Sequence, residues 1–327
     1  MTLVKVLLVL GFTIVGISNA KVVAQKKIWF DTDIMIGLPE RAPREVDDGV
    51  TLIMALKEPA LKIVGISTVT NIAYAYDVTQ KLLKWHNTGA AIPVYNGSPK
   101  ANDLGTENDA VKAMYNALKK EHLTILALGP VTNVGTLLKN HPDIISQIDS
   151  IVMCAARVPN FSFAPGLQKM NVYDYNYEKD TASMNVLLNS SVNLVFAGYE
   201  SSSTMLIGKI DIAPLNNGKE ADQWLYNVFR PWQLRAKQLF GVEGFIPYDC
   251  STLGIITHPE FFLMKRDIPL LIKYKENDAP LITTLPKIRP FMEVDYSFKS
   301  NRKVQYCYRT LPGFEEMILE TLPQTKP

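Results

Sequence analysis

Short apolar runs of strand length alternate along the chain with stretches that have helical spacing. The β-branched run Leu61–Val69 is typical of a buried strand, and the following segment, Tyr76–His86, places Val78, Leu82 and Trp85 on one helical face. Further strands are predicted at residues 92–95, 123–128, 150–153 and 192–196, and helices at 110–120, 133–138 and 180–188. Strands that are apolar on both faces and alternate with helices indicate an α/β fold, with a mostly parallel open sheet and helices on both faces.

The last third of the chain has a different pattern. Residues 219–240 predict a helix in which Pro231 must start, kink or end a segment. Short strands and turns predominate after Ile268, Lys303–Arg309 alternates as an edge strand would, and Gly313–Leu322 predicts a closing helix. No internal repeat, low-complexity tract or linker interrupts the sequence, so we predict a single domain over residues 21–327.

Residues 1–20 have the pattern of an export signal. Lys5 is their only charge, an apolar run extends from Val6 to Ile17, and Ser18 and Ala20 are small residues suited to cleavage after Ala20. The run is too short to predict a membrane span. We therefore predict an exported protein, periplasmic or secreted, without a stable membrane anchor; an uncleaved N-terminal anchor is the alternative.

Composition excludes few classes of function. The chain has 327 residues, of which 47% are hydrophobic and 20% charged, and its net charge of +2 comes without a basic block. Nothing in this charge pattern indicates a nucleic-acid partner. The cysteines Cys154, Cys250 and Cys307 form neither a disulfide framework nor a metal-ligand spacing, so we predict no bridge.

Carboxylates are concentrated near the start of the mature chain. Asp31 and Asp33 end the first apolar run, and Asp47 and Asp48 come immediately before an amphipathic run. A strand end followed by a helix start concentrates negative charge where the backbone turns, and a hard cation commonly balances such charge. Ordinary helix capping by Asp is the competing interpretation.

Polar residues also follow the other predicted strands. Asn71 comes after the strand at 61–69, and Gly129–Asn133 comes after the strand at 123–128. Ligands of open parallel sheets bind at the carboxyl ends of the strands. This convergence favours a functional site over simple capping at the acidic stretch.

With these residues in place, the chain resembles the calcium-dependent nucleoside hydrolases, which include the inosine–uridine-preferring ribohydrolases. That family begins with a strand followed by Asp-x-Asp-Pro-Gly-x-Asp-Asp, and its later motifs include Gly-Pro-x-Thr-Asn, Glu-Phe-Asn and His-Asp. The chain carries counterparts in the same order at Asp31–Asp33, Asp47–Asp48, Asn71, Gly129–Asn133, Asp174–Asn176 and Tyr248–Asp249. The resemblance implies a nucleoside hydrolase-like fold with a Rossmann-like core.

The resemblance also implies a reaction and a set of site residues. The expected reaction is hydrolysis of the N-glycosidic bond of a ribonucleoside, or a related ribosyl compound, to ribose and free base. Asp33 is the implied general base on a calcium-bound water, with a purely structural ligand role as the alternative. The implied Ca²⁺ ligands are Asp31, Asp33, Asp48, Asp249 and the Thr132 carbonyl. The implied substrate-binding residues are Asp47, Asn71, Asn160, Asp174, Asn176, Tyr248 and Asp249. The expected partner is this small molecule, and a homo-oligomer is left open.

Several residues depart from the family pattern. The tight Pro-Gly turn is replaced by the longer segment Ile34–Val46, which must bulge outward to return Asp48 to the metal. Asp174 is shorter than the family's glutamate, and Tyr248 stands where a histidine is common. Arg157 follows a predicted strand, where an arginine is more often a solvated or paired charge than a contact to the leaving group.

Two other functions compete with hydrolysis of a nucleoside. The Asp31-Thr32-Asp33 start also resembles that of haloacid-dehalogenase-like phosphatases, but the acidic pair Asp47–Asp48 comes too early for that class. A non-catalytic ribose- or nucleoside-binding protein is the second alternative, because the changed residue at Tyr248 concerns the leaving-group side.

Overall fold

The computed structural model describes residues 25–39, 43–161, 173–241, 243–276 and 287–324. Its strands are β1 (Lys26–Thr32), β2 (Leu61–Thr68), β3 (Val94–Asn96), β4 (Leu123–Ala127), β5 (Ile148–Cys154), β6 (Leu194–Ala197), β7 (Ile207–Gly208), β8 (Gly244–Phe245), β9 (Phe262–Glu276), β10 (Ile288–Val294) and β11 (Lys303–Thr310). Its helices are α1 (Asp47–Lys57), α2 (Ile72–His86), α3 (Asp109–Leu118), α4 (Thr132–Asn140), α5 (Tyr175–Lys179), α6 (Thr181–Asn189), α7 (Tyr199–Ser202), α8 (Glu220–Phe240), α9 (Cys250–Thr257) and α10 (Phe314–Thr321).

The predicted export signal, residues 1–20, lies outside the described residues and stays a prediction. Within the described ranges, no helix has both the length and the apolar character needed to cross a membrane.

Nine of the described strands form one open sheet in the order β10-β9-β11-β6-β5-β4-β1-β2-β3. All neighbours from β11 to β3 are parallel, whereas β9 runs antiparallel to both β10 and β11. The strands β7 and β8 form a separate antiparallel pair. The predicted α/β class with a mostly parallel open sheet is confirmed.

Both faces of this sheet are covered by apolar side chains. Ile28 and Phe30 of β1 belong to one core, together with α1, α2, α8, α9 and α10, while Trp29 belongs to a second core with α3, α4 and α6. Successive residues of a strand point to opposite faces, so a strand buried on both sides must be apolar at every position. This requirement explains the uninterrupted apolar runs of the sequence.

The C-terminal strands differ from the sequence prediction. β9 is one strand of 15 residues rather than several short ones. β11 is not an edge strand, because it lies between β9 and β6. The alternation in Lys303–Thr310 reports which side chains are buried on a face of the sheet, and it carries no information about whether both edges of the strand are paired.

The helix α8 continues through Pro231, so this proline neither starts nor ends the helix. A proline within a helix removes one backbone hydrogen bond and crowds the preceding turn. Leu225, Phe229 and Trp232 of the same helix are buried in the first core. We attribute the persistence of the helix to this packing, since tertiary contacts supply most of the stability of helices in proteins.

Asn133, at the start of α4, connects the ends of neighbouring strands. Its Nδ2 donates to Asp31 Oδ1 at 2.8 Å and to the Thr68 carbonyl at 3.1 Å, and its Oδ1 accepts from the Ser98 N–H at 2.9 Å. Gly97 makes this possible, because a Cβ atom there would lie 2.3 Å from both Asn133 Nδ2 and the Thr68 carbonyl oxygen.

The substitution Gly97→Ala should therefore destabilise the fold. We expect it to lower the free energy of unfolding by about 1–3 kcal/mol, since the added methyl must displace Asn133. Gly89→Ala is the matched control: its Cβ would meet only Asn87 Oδ1, at 3.6 Å, and we expect a change within about 0.5 kcal/mol. Urea denaturation of both variants measures the difference, and equal losses would contradict this role of Gly97.

Candidate active site

The predicted site residues gather at the carboxyl edge of the parallel sheet. Asp33 directly follows β1, and Asn71 precedes α2 shortly after β2. The helices α1 and α9 both begin at this edge, and they pack against each other. The position agrees with the general placement of ligand sites in open α/β sheets.

Three buried carboxylates form the centre of this edge. Asp47 and Asp48 lie in the first turn of α1, and Asp249 is the N-cap residue of α9. One carboxylate oxygen from each lies within 4.8 Å of the other two, and the residues are only 4%, 8% and 6% exposed. Asp47 Oδ2 accepts the Asp249 N–H at 3.2 Å, and the hydroxyl of Thr32 donates to Asp48.

Burial makes this arrangement electrostatically costly. It raises the pKa of Asp47 to about 6 and, with the repulsion of Asp47, that of Asp48 to about 7. Burial and the other two carboxylates raise the pKa of Asp249 well above its usual range. In the part of the chain that the structure describes, no lysine or arginine forms an ion pair with these residues. A donor set of clustered oxygens without a protein counter-charge fits a hard divalent cation.

Asp33 and Asp31 adjoin this group without belonging to it. Asp33 packs so closely on Gly129 that a Cβ there would lie 2.8 Å from its Oδ1. Burial, followed by the charge of Asp48, raises the pKa of Asp33 well above its usual range. Asp31 Oδ1 accepts from the Ser67 hydroxyl and from Asn133, and its Oδ2 has no hydrogen-bond partner among the described residues.

The structure places the predicted ligands and ribose-binding residues at one edge without assigning their roles, which stay predictions. Asp31 is held through Oδ1 by side chains of the neighbouring elements, while Asp47 joins the group of three. The direction of each carboxylate depends on partners distant in sequence: Asp47 meets the Asp249 N–H across 202 positions. The sequence motif alone carries no such information.

Three of the residues predicted to bind ribose lie at the starts of α2 and α5. Asn71 precedes α2 with a positive φ of 39°, and its Nδ2 contacts Met35 Sδ at 3.2 Å. Asp174 caps the start of α5 by accepting the Tyr177 N–H at 3.1 Å. Asn176 Nδ2 donates to the Leu128 carbonyl at 2.7 Å, which fixes α5 to the end of β4. Burial raises the pKa of Asp174, and the Tyr177 N–H opposes the rise.

Two further predicted site residues lie at the start of α4 and in a turn after β5. Thr132 begins α4, and its hydroxyl donates to Asp180 Oδ2 at 2.6 Å. Asn160 lies in an exposed turn with φ of 62°, just before residues 162–172, which are outside the described ranges. A metal contact of the Thr132 carbonyl and a ribose contact of Asn160 stay predictions.

The described parts of the inserted segment, residues 34–39 and 43–46, do not simply bulge outward. Ile34 and Ile36 are fully buried in the first core, and the Tyr74 hydroxyl donates to the Ile36 carbonyl at 2.8 Å. Its far end does return Asp48 to the acidic group. Sequence analysis missed Glu45, whose charge raises the pKa of Asp33 and Asp249 and which therefore lies near them.

Comparison with known proteins identifies the family. The profile of the family described as inosine-uridine preferring nucleoside hydrolase matches residues 28–284 of the chain. The chain belongs to this family. It is therefore an N-ribohydrolase, an enzyme that hydrolyses the N-glycosidic bond of ribonucleosides, and the alternatives of a phosphatase and of a non-catalytic binding protein are set aside.

Similar proteins occur in plants and in bacteria. This nucleoside hydrolase is 22% identical over 288 residues to uridine nucleosidase 1 of Arabidopsis thaliana, covering 77% of this chain and 80% of that protein. It is 20% identical over 249 residues to a pyrimidine-specific ribonucleoside hydrolase of Escherichia coli O157:H7, covering 65% and 76% of the two chains.

Solved structures share the fold of this nucleoside hydrolase. The plant nucleoside hydrolase PpNRh1 superposes with a TM-score of 0.69 at 15% identity, covering 93% of this chain and all of that one. The inosine-uridine preferring enzyme of Bacillus anthracis superposes with a TM-score of 0.67 at 13% identity, covering 92% of this chain and 100% of that chain.

Metal removal should make the stability of this nucleoside hydrolase fall as pH rises. In the folded protein without metal, the pKa of Asp48 is raised from 3.8 to about 7. Between these two pH values the folded state therefore binds more protons at this carboxyl than the unfolded state does. Its contribution is favourable at low pH and is lost as pH rises through about 7. We expect the melting temperature with a chelator to fall from pH 5 to pH 8, and calcium to raise it most at pH 8.

Thermal unfolding with chelator and with excess calcium, at both pH values, measures this effect. Asp48→Asn should remove most of the calcium-induced shift. Asp109→Asn, whose side chain is 82% exposed, is the control and should retain it. A calcium-induced shift that is larger at pH 5 than at pH 8 would contradict the assignment of these carboxylates.

Proposed function

We propose that the enzyme hydrolyses a ribonucleoside with Asp33 as the general base and Ca²⁺ held by Asp47, Asp48 and Asp249. The observation that carries the proposal is the placement of Asp33 next to the group of three carboxylates, all buried at the carboxyl edge of the sheet. A buried carboxylate outside the group is available for proton transfer, while the three within it are suited to holding a cation.

The donor set supports calcium in particular. The three residues of the group offer carboxylate oxygens, and calcium accepts six to eight oxygen ligands at roughly 2.3–2.6 Å. Bound there, calcium would supply a positive charge that acidifies water and orients the ribose diol. The N-termini of α1 and α9 point to the same place, and their dipoles favour the ionised carboxylates that the cation needs.

Asp33 has the environment of a general base. Burial and the neighbouring carboxylates raise its pKa, so it accepts a proton more readily than an exposed aspartate does. In the proposed step the oxygen of water bonds to C1′ of the ribose while Asp33 takes a proton from that water. The C1′–N bond breaks, its electron pair goes to the base nitrogen, and the base then takes a proton from solvent. Asp33 releases its proton to complete the cycle.

The short helix α5 supplies the contacts to the sugar in this proposal. Asp174 and Asn176 flank Tyr175 at its start, and Asn176 is bound to the end of β4. The opposite end is held by a buried ion pair, in which Arg289 Nε of β10 donates to Glu178 Oε1 at 2.5 Å. This double attachment holds α5, and with it Asp174, at the sheet edge.

Choice of substrate follows from the named relatives. The curated relatives cited above act on uridine and other pyrimidine nucleosides, while the Bacillus anthracis enzyme is described as inosine-uridine preferring. We therefore propose uridine and inosine as the first substrates to test, with nicotinamide riboside and p-nitrophenyl riboside beside them.

The enzyme should release free ribose in the presence of calcium and not with a chelator. Asp33→Asn should lower kcat by about 10²–10⁴-fold, as expected for loss of a general base, while the variant still binds calcium. Asp109→Asn, at an exposed site, should leave kcat unchanged. A reducing-sugar assay and calcium binding by calorimetry measure both properties.

Two results would contradict this proposal. If Asp33→Asn abolished calcium binding, Asp33 would be a metal ligand with no demonstrated role in proton transfer. If the calcium-loaded wild type released ribose from none of the four substrates, hydrolysis itself would be refuted and a role in binding ribosyl compounds would replace it.

A further inference from the structure

A layered stack of side chains lies directly beside the acidic group. Tyr248 immediately precedes Asp249, and its ring meets the ring of Tyr199 edge-on, with centroids 5.9 Å apart and planes at 71°. The guanidinium carbon of Arg157 lies 4.7 Å from the Tyr199 ring centroid and 4.9 Å from that of Phe291. These pairwise contacts connect Phe291 to Arg157, Arg157 to Tyr199 and Tyr199 to Tyr248, and we refer to the four residues as the arginine stack.

Arg157 is buried, which excludes the solvated charge that the sequence analysis allowed as one of two possibilities, the other being a paired charge. It is 2% exposed, and Phe291 is 1% exposed. The backbone N–H of Arg157 donates to the Met292 carbonyl at 3.1 Å, and its carbonyl accepts the Val294 N–H at 3.0 Å. β10 thus holds both the backbone of Arg157 and the ring of Phe291 beneath the guanidinium. Such a placement costs desolvation of a full charge, which suggests that the position has a use.

Tyr199 is fixed in the same way from the other side. It begins α7 directly after β6, and its N–H donates to the Ala156 carbonyl at 3.2 Å. Its ring contacts both the guanidinium of Arg157 and the ring of Tyr248. Arg157 can stack on the aromatic face through both its charge and its planar shape. The stack leaves Tyr199 little freedom to turn away from Tyr248.

The proposed reaction requires a hydrogen-bond donor near the departing base, and Tyr248 is the candidate. Once the ribose is bound at the carboxylates, the base lies next to them, and breaking the C1′–N bond leaves an electron pair on the base nitrogen. Tyr248 is a half-buried residue adjoining Asp249, and the charge of Asp47 bears on its hydroxyl. A phenol with an ordinary pKa of about 10 is protonated at neutral pH, so it can donate a hydrogen bond to the departing base.

From these contacts we infer that Arg157 is a positioning residue for departure of the base. It holds Tyr199 against Tyr248, so that the Tyr248 hydroxyl is directed at the leaving nitrogen. The inference rests on the proposed function and extends it to residues outside the acidic site. Arg157 itself is not expected to touch the substrate.

Substrates with different leaving groups separate this role from a structural one. Departure of p-nitrophenolate needs little assistance because the anion is stable, whereas the base of uridine or inosine leaves poorly without a donor. We expect Arg157→Met to lower kcat for uridine or inosine by about 10- to 100-fold and to change kcat for p-nitrophenyl riboside by less than about threefold. Tyr248→Phe should show the same selectivity.

The double variant Arg157→Met/Tyr248→Phe tests whether the two residues act together. If Arg157 acts through Tyr248, the double variant should have the same kcat for the nucleoside as Tyr248→Phe alone. Losses that multiply would overturn the inference, as would an equal loss of kcat on both kinds of substrate. The charge of Arg157 also lowers the pKa of Asp174. We therefore expect Arg157→Met to raise KM for both substrates as well, and this rise is not evidence for the inference.

Arg157→Lys decides the matter if Arg157→Met does not fold. Lysine keeps the charge but lacks the planar group that contacts both the Tyr199 and the Phe291 ring. We expect it to retain hydrolysis of p-nitrophenyl riboside and to lose nucleoside turnover selectively; full nucleoside activity would refute positioning by the stack. Failure of the proposed function is distinguishable, because the wild type would then hydrolyse neither kind of substrate.

Discussion

Three carboxylates buried within reach of one another impose the central constraint on this molecule. Asp47, Asp48 and Asp249 repel each other in surroundings that exclude water, so each has a raised pKa. A fold tolerates such a cluster when its carboxyls take up protons or when another charge balances it. Much of the carboxyl edge can be understood as the means of keeping these groups ionised and correctly directed.

The surrounding elements meet this constraint by backbone geometry. Two helices begin at the cluster, and the N–H of Asp249 is donated to Asp47, so that helix dipoles and amides partly compensate the charge. Asn133 and Ser67 hold Asp31 by donating hydrogen bonds to its Oδ1. The carboxylates thus stay close together without a lysine or arginine among them in the described ranges, and the site remains open to a cation and a polar substrate.

Local pattern predicted the sheet but not the directions of its side chains. The parallel core was predictable because strands buried on both faces must be apolar throughout, as around Trp29. The acidic motif located the site for a similar reason, since strand ends meet at one edge. The orientation of each carboxylate was not predictable, because the partner of Asp47 lies 202 positions away. The burial of Arg157 was not predictable either, because it depends on β10 near the end of the chain. Such contacts have no local signature.

The place of β11 has a consequence for the way the chain folds. Among the described strands it comes last in the sequence, yet it pairs with β6 on one side and β9 on the other. The sheet therefore cannot be completed before β11 has been synthesised, because β11 joins β9 and β10 to the parallel strands. The long loops that must close before these pairs form make folding slow and non-local. Since β10 reaches Arg157 only through this late assembly, a nascent or truncated chain would contain the acidic motif but lack a finished enzyme.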